Sequence, residues 1–140
     1  GHDAASLTDL LYNQCGMLGV SGITADMRAL AASQDPRAAE ARTLYAHRVR
    51  REIGALAAVL GGLDGLVFTG GIGEHDAALR AAVVAGFAWL GAELDLAANA
   101  RHAHSIAAAG SRVALLVVPA DEEGVIAAAT RALVPPEGLG

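Results

Sequence analysis

The sequence predicts one α/β domain over residues 1–140, in which helices join buried parallel strands. Two apolar runs, at residues 66–69 and 113–118, lack the polar alternation of a half-exposed strand. Such runs are typical of parallel strands that are covered on both faces. A helical pattern follows each run, as in right-handed strand–helix–strand units. Two strands make a small sheet, so either further strands escape the pattern or the chain is part of a larger domain.

Three short segments are predicted at the N-terminal end. Residues 7–12 and residues 24–32 have the composition of short helices. Between them, the stretch CGMLGVSGI at residues 15–23 contains three glycines, which favour a turn or loop.

A long amphipathic helix is predicted before the first strand. Asp35 and Pro36 form a strong helix start, with the aspartate as N-cap and the proline at the first helical position. Apolar residues then recur at helical spacing as far as Leu60. Gly61 and Gly62 follow, and glycine is the residue that most often ends a helix.

The C-terminal half continues the alternation of strands and helices. The predicted elements are a helix at 76–90, a short strand at 92–95, a helix at 96–109, the second strand at 113–118 and a helix at 122–133. The final stretch VPPEGLG is predicted to be a frayed tail.

Composition excludes some classes of protein. The net charge is −5, whereas a nucleic-acid surface needs a basic patch to meet the phosphates. No apolar run approaches the roughly 20 residues of a membrane span. The single cysteine, Cys15, permits no internal disulfide and fits a reducing cytoplasm; its apolar surroundings predict a buried thiol. The five histidines lack zinc spacing and are predicted to lie on the surface, with His102 and His104 in a helix.

A cluster of glycines lies between the first strand and the next helix, in LVFTGGIGEHDAALR at residues 66–80. Gly70, Gly71 and Gly73 remove side chains and permit positive φ, so a nucleotide could approach the backbone at the ligand-binding edge of a parallel sheet. The pattern is neither a Walker A loop, since no Lys-Ser/Thr follows, nor a dinucleotide fingerprint. From spacing alone, a nucleotide site and a tight structural turn are equally good interpretations.

Two charged segments also admit two interpretations each. Asp26 and Arg28, two residues apart, do not share a helix face, so they either contact different partners or form a solvated pair. The acidic run of residues 121–123 begins a helix, where its charge is favourable in any case. Alternatively, one of these carboxylates reaches the sheet edge beside the glycines, where Mg²⁺ bound to nucleotide phosphates would lie.

Three blocks in order resemble the C-terminal part of the acetate kinase (acetokinase) family. They are GMLGVSGITADMR at residues 16–28, LDGLVFTGGIGEHDAALR at 63–80 and VVPADEEGVIA at 117–127. The resemblance spans nearly the whole chain and implies part of a lobe of the actin, Hsp70 and sugar-kinase (ribonuclease H-like) fold. It further implies that the first strands of this lobe belong to a preceding part of a longer enzyme.

The resemblance also implies functional residues. The nucleotide-binding residues that it implies are Asp26, Met27 and Arg28, together with Gly71, Ile72, Gly73, Glu74 and His75 of the adenosine loop. Glu122 is implied as a ligand of Mg²⁺, and no catalytic residue is implied in this segment. Two positions depart from the family pattern: His75 replaces an asparagine, and Gly124 replaces an aliphatic residue.

The implied activity is phosphoryl transfer from ATP to acetate, which gives acetyl phosphate and ADP in a cytoplasmic homodimer. Propionate and butyrate kinases share much of the pattern and are alternatives for the acyl substrate. We expect this chain alone to be inactive, because the family's catalytic groups lie upstream of the matching segment. A catalytically inactive nucleotide-binding or dimerisation module is therefore the alternative from another functional class.

Overall fold

The computed structural model of the chain describes residues 1–133, so the predicted tail at 134–140 lies outside the described residues. The helices are α1 (Ala4–Asp9), which continues as a π-helix (Leu10–Gln14), α2 (Gly16–Ser21), α3 (Met27–Ala32), α4 (Pro36–Leu60), α5 (Gly70–His75), α6 (Ala77–Val84), which continues as a 3₁₀-helix (Ala85–Leu90), α7 (Leu96–Ala100) and α8 (Glu122–Leu133). The strands are β1 (Gly65–Phe68) and β2 (Ala114–Val117).

The two strands pair in parallel, as predicted. The register runs from Gly65 opposite Ala114 to Phe68 opposite Val117. In β2, Leu115 is fully buried in the core. In β1, however, Val67 is 52% exposed, so the expectation that this strand is covered on both faces is wrong. Within residues 1–133, β1 pairs only with β2, and Val67 faces an open cavity rather than another layer.

Helix α4 forms as predicted, and both ends have the expected caps. The Oδ1 atom of Asp35 accepts a hydrogen bond from the backbone nitrogen of Arg37 at 2.9 Å. Gly61 adopts a left-handed conformation, with φ of 75°, and ends the helix. The buried face of α4 consists of alanines. These small side chains let neighbouring helices approach α4 closely.

The N-terminal segment is more helical than predicted. The predicted loop at residues 15–23 contains α2, which ends at Gly22 with φ of 63°. The buried Ser21 stabilises this end, because its Oγ donates to the Thr24 carbonyl oxygen and accepts from the Ile23 backbone nitrogen. Cys15 is exposed, so the prediction of a buried thiol is wrong. None of the residues of α1 or its π-helical continuation is buried, so this end has no core to enclose the thiol.

Residues 92–109 also differ from the prediction. The predicted strand at 92–95 is a single bridge from Leu94 to Ala107. The predicted helix at 96–109 ends at Ala100, although the alanine-rich sequence has high helix propensity. The following residues extend beside β2, where the Ile106 nitrogen donates to the Leu115 carbonyl oxygen at 2.9 Å. Ile106 is fully buried there, and this tertiary contact overrides local propensity.

Two glycine substitutions, one within α4 and one at its C-cap, should have opposite effects on stability. Gly54→Ala introduces a Cβ that meets no atom within 4 Å, and alanine favours a helix interior over glycine by about 1 kcal/mol. Gly61→Ala forces a side chain into the left-handed region at φ of 75°, which costs roughly 1–2 kcal/mol. Chemical denaturation should therefore show a stabilised and a destabilised variant. Equal shifts in the same direction would contradict this account.

Candidate functional site

A cavity of about 840 Å³ opens at the carboxyl end of β1. Its walls come from the start of α3, the middle of α4, the end of β1, and helices α5 and α6. Its apolar lining residues include Tyr45, Val49 and Phe68. Its lining also includes the glycines of α5 and the polar residues Arg28 and His75. A cavity with apolar walls and a few polar groups is the usual form of a small-molecule site.

The Asp26–Arg28 segment forms a capped turn at one mouth of this cavity. Asp26 is the N-cap of α3, and its Oδ1 accepts from the Arg28 backbone nitrogen at 2.8 Å. The same side chain lies 3.5 Å from the Arg28 guanidinium. These two hydrogen bonds hold the pKa of Asp26 below its ordinary value. In this structure the two charges form a solvated pair. Because the Arg28 side chain is 89% exposed, it remains accessible to a ligand.

The glycine cluster is a short helix, α5, rather than a loop. Gly70 alone of its glycines has a positive φ, of 70°. Gly73 is needed for a different reason: a Cβ there would lie 3.2 Å from the Phe68 carbonyl carbon. α5 therefore packs directly on the backbone of β1, and its glycines present bare backbone to the cavity.

Arg42 connects the Asp26–Arg28 segment with the residue that follows α5, Asp76. Its guanidinium donates to both carboxylate oxygens of Asp76, at 2.8 and 3.1 Å, and to the Met27 carbonyl oxygen at 3.3 Å. Asp76 also caps α6 by accepting from the Leu79 backbone nitrogen. Burial alone would raise the pKa of Asp76, but the hydrogen bonds from Arg42 and Leu79 outweigh it, and the pKa lies below its ordinary value. Arg42 thus holds the start of α3 beside the start of α6.

Arg80 stabilises the C-terminal end of α5. It is only 1% exposed. Its Nη1 atom donates to the carbonyl oxygens of Gly73 and Glu74, both at 2.8 Å. Its Nε and Nη2 atoms donate to the side-chain and backbone oxygens of Asn99, and Nη2 lies 3.1 Å from His102 Nδ1. The end of α5 is therefore tied to α7 through a buried guanidinium.

Glu74 connects the segments that follow β1 and β2. Its Oε1 atom accepts from the Ala120 backbone nitrogen at 2.9 Å, just before α8 begins. Glu74 therefore does not line the cavity, although its neighbours Gly73 and His75 do. This bond places the start of α8 at the same sheet edge as α5.

Glu122 is the first residue of α8 and is exposed. It does not line the cavity. No set of three His, Cys, Asp or Glu side chains in residues 1–133 is arranged to hold a metal ion. An exposed carboxylate still fits Mg²⁺, because this ion is commonly held by one or two carboxylates, substrate phosphates and water. Gly124, which departs from the family pattern, donates its backbone N–H to Asp121 Oδ1 at 2.9 Å as part of the cap.

The structure brings together most of the predicted site residues in one cavity. The predicted residues that line it are Asp26, Met27, Arg28, Gly71, Ile72, Gly73 and His75. Arg42 and Arg80, which stabilise the segments that line the cavity, were not predicted from the sequence. A signal for Arg80 exists, since it is a lone charge in the apolar run of α6. Arg42 lies among several arginines of α4, and nothing in the pattern distinguishes it.

The histidines are on the surface, as predicted. All five are exposed. His102 and His104 lie beyond α7, so their predicted placement in a helix is wrong. His102 instead adopts a left-handed φ of 53°, and its ring meets that of His75 edge-on, with centroids 6.3 Å apart.

Comparison with known proteins assigns both the fold and the family. The fold is part of a lobe of the actin, Hsp70 and sugar-kinase type, and its structural neighbours include acetate kinases. The chain belongs to the Acetokinase family, whose sequence model matches residues 1–128. The acetate kinase of Rhodopseudomonas palustris (strain TIE-1) is 54% identical over 126 residues, which is 89% of this chain and 32% of that protein.

Two solved structures are similar over almost all of the chain. The acetate kinase of Porphyromonas gingivalis has a TM-score of 0.87 and 35% identity, and the match covers 96% of this chain and 35% of that one. A propionate kinase of Francisella tularensis subsp. tularensis SCHU S4 has a TM-score of 0.82 and 34% identity, covering 91% and 33%. The chain spans about one third of the length of the curated relatives that it matches. Among the described helices, none has the length and apolar character needed to cross a bilayer.

Proposed function

We propose that this chain is the ATP-binding part of an acetate kinase, an enzyme that transfers the γ-phosphoryl group of ATP to acetate. One observation carries the proposal: the Asp26–Arg28 turn and the α5 glycines, which are distant in sequence, line the same cavity. These are the segments that the family resemblance assigns to the nucleotide. Family membership supports a kinase, and the cavity supports the nucleotide part of its site.

The walls of the cavity suit an adenosine. A planar base can lie between the bare backbone of α5 and the apolar side chains of Tyr45 and Val49. Arg28, at the mouth, can meet the negative charge of the phosphates. His75 is exposed beside α5, and its ring nitrogens can hydrogen-bond the ribose or base in place of the family's asparagine.

Mg²⁺ would accompany the nucleotide, with Glu122 as one carboxylate ligand or as a partner of its bound water. When bound, the ion would neutralise charge that develops on the transferred phosphoryl group. Both the ion and the acyl substrate require contacts outside this cavity. Acetate and propionate kinases are both among the structural neighbours, so propionate is an alternative substrate. Butyrate is an alternative on the family resemblance alone. Homo-oligomerisation and a cytoplasmic location stay predictions.

Calorimetric titration of the chain with ADP, with and without Mg²⁺, tests the proposal. We expect weak but saturable binding. Arg28→Ala should weaken it about fivefold, or about 1 kcal/mol, which is the net contribution of one ordinary hydrogen bond. Stability should change little, because the Arg28 side chain is 89% exposed.

Arg51→Ala is the matched control, since Arg51 is also an exposed arginine paired with a neighbouring carboxylate, that of Glu52. It should bind ADP as the parent chain does. Saturable binding that is unaffected by Arg28→Ala would place the nucleotide elsewhere. No binding heat at millimolar ADP would favour the alternative of a module without nucleotide function. Turnover of acetate and ATP by the isolated chain would refute the separate expectation that it is inactive alone.

A further inference from the structure

We propose that Arg80 is a positioning residue for the nucleotide, because its guanidinium holds α5 in the conformation that forms one wall of the cavity. The inference rests on the proposed function and adds a residue that is not among the nucleotide-binding residues predicted from the sequence.

Every N–H group of the Arg80 guanidinium has a hydrogen-bond partner. Arginine carries five N–H donors in a planar fork. In Arg80 these meet four oxygens and one ring nitrogen: the carbonyls of Gly73 and Glu74, both oxygens of Asn99, and Nδ1 of His102. The donor contacts are 2.8–3.1 Å long, and the residue is 1% exposed. A lysine ammonium has three donors and cannot span from α5 to α7 in this way.

The sequence of α5 alone does not favour a helix. The helix has six residues, of which three are glycines, so local propensity opposes it. The last carbonyls of any helix lack partners within that helix. Arg80 supplies donors to two of these carbonyls and places a positive charge at the negative end of the helix dipole. The conformation of α5 therefore depends on Arg80.

The contact of Arg80 Nη2 with His102 Nδ1 determines which ring nitrogen of His102 carries the proton. A charged guanidinium can only donate, so His102 accepts with Nδ1 and carries its proton on Nε2. The other charged or titratable groups near this contact are His75, whose ring packs edge-on against His102, and Asp76, whose charge acts on Arg80. Nitrogen NMR of the His102 ring should show the Nε2–H tautomer almost exclusively, and replacement of Arg80 should increase the share of the Nδ1–H tautomer.

The test compares ADP affinity in the parent chain, Arg80→Ala and Arg80→Lys, with amide exchange of α5 followed by mass spectrometry. We expect Arg80→Ala to weaken ADP binding about fivefold, equivalent to one net hydrogen bond, and to accelerate exchange in α5. Millimolar methylguanidinium should restore affinity, whereas methylammonium should not. Arg80→Lys keeps the buried charge and most of the volume, so it tests the proposal even if the alanine variant does not fold. It should lose affinity to a similar extent.

Asn99→Ala is the matched control, because among the Arg80 contacts it removes only the bond from Arg80 Nε to the Asn99 side chain and leaves both α5 carbonyl bonds in place. Its ADP affinity should stay within about twofold of the parent value. Parent-like ADP binding in both Arg80 variants would overturn the inference while leaving the nucleotide site intact. An equal loss of affinity in Asn99→Ala would also overturn it, because Arg80 would then act through core stability alone. Failure of the parent chain to bind ADP would refute the proposed function instead.

Discussion

Gly73→Val is expected to weaken ADP binding by at least about tenfold, or 1.4 kcal/mol. A Cβ at this position would lie 3.2 and 3.4 Å from the carbonyl carbon and Cα of Phe68. These are backbone atoms of a paired strand, so they cannot rotate away as a side chain could. The branched valine must push α5 off β1, and this displaces the glycine wall of the cavity. Overpacking of this kind also costs stability, typically about 1–3 kcal/mol.

Titration calorimetry and denaturation of the same samples separate the two effects. Gly73→Ala should give a smaller loss in the same direction, since only the Cβ must be accommodated. Gly54→Val is the control, because a Cβ there meets no atom within 4 Å and the residue does not line the cavity. Parent-like ADP affinity in a folded Gly73→Val variant would show that α5 does not form a wall of the nucleotide site.

Arg42→Ala is expected to lower the free energy of unfolding by about 2 kcal/mol. Both side chains of the Arg42–Asp76 pair are only 16% exposed, and the contact is bidentate. Removal of Arg42 leaves a mostly buried carboxylate without its cation, which is costlier than loss of an exposed pair. The start of α3 also loses its bond from Arg42 to Met27, so ADP binding should weaken as well.

The loss should depend on pH in a defined direction. The pKa of Asp76 in the folded chain lies below the ordinary 3.8, so the pair contributes stability above that pH. This contribution is lost as the pH falls through the lower folded value. The difference in unfolding free energy between parent and variant should therefore be largest near neutral pH and shrink below about pH 3.8.

Arg51→Ala provides the control for this comparison as well. The Arg51–Glu52 pair is 55% and 63% exposed, so solvent screens it and its removal should change stability little. A difference between parent and Arg42→Ala that stays constant from pH 7 to pH 3 would show that Asp76 is not the partner responsible. Combined replacement of Arg42 and Asp76 should cost less than the sum of the single replacements.

Much of the candidate site was predictable, because its segments carry specific residues in a specific order. The Asp26–Arg28 turn and the glycines of α5 were both selected from the sequence, and both line the cavity. The role of Glu74 was not predictable. Its backbone position is in the glycine segment, but its side chain turns to the Ala120 nitrogen, and that bond joins residues far apart in the chain. Likewise, no local pattern indicates which arginine of α4 meets Asp76.

For the fold, too, some features were predictable from local sequence and others depended on tertiary contacts. Capping residues act on their immediate neighbours, so Asp35, Pro36 and Gly61 were sufficient to place both ends of α4. Apolar runs without polar alternation located β1 and β2, and the helical patterns that follow them predicted their parallel pairing. Segments with conflicting signals depended on their surroundings: α2 forms despite its glycines, and the alanine-rich stretch after Ala100 leaves the helix to run beside β2.

Residue types and their spacing therefore specify the helix ends, the two strands and the motif segments, because these depend on contacts within a few positions of the chain. Which face of β1 stays open, and which buried arginines hold α3 and α5, follow from packing between distant segments. Arg80 illustrates the reason: a guanidinium at position 80 becomes a support for α5 only when Gly73, Asn99 and His102 converge on it. That convergence is a property of the folded chain, and no window of the sequence contains it.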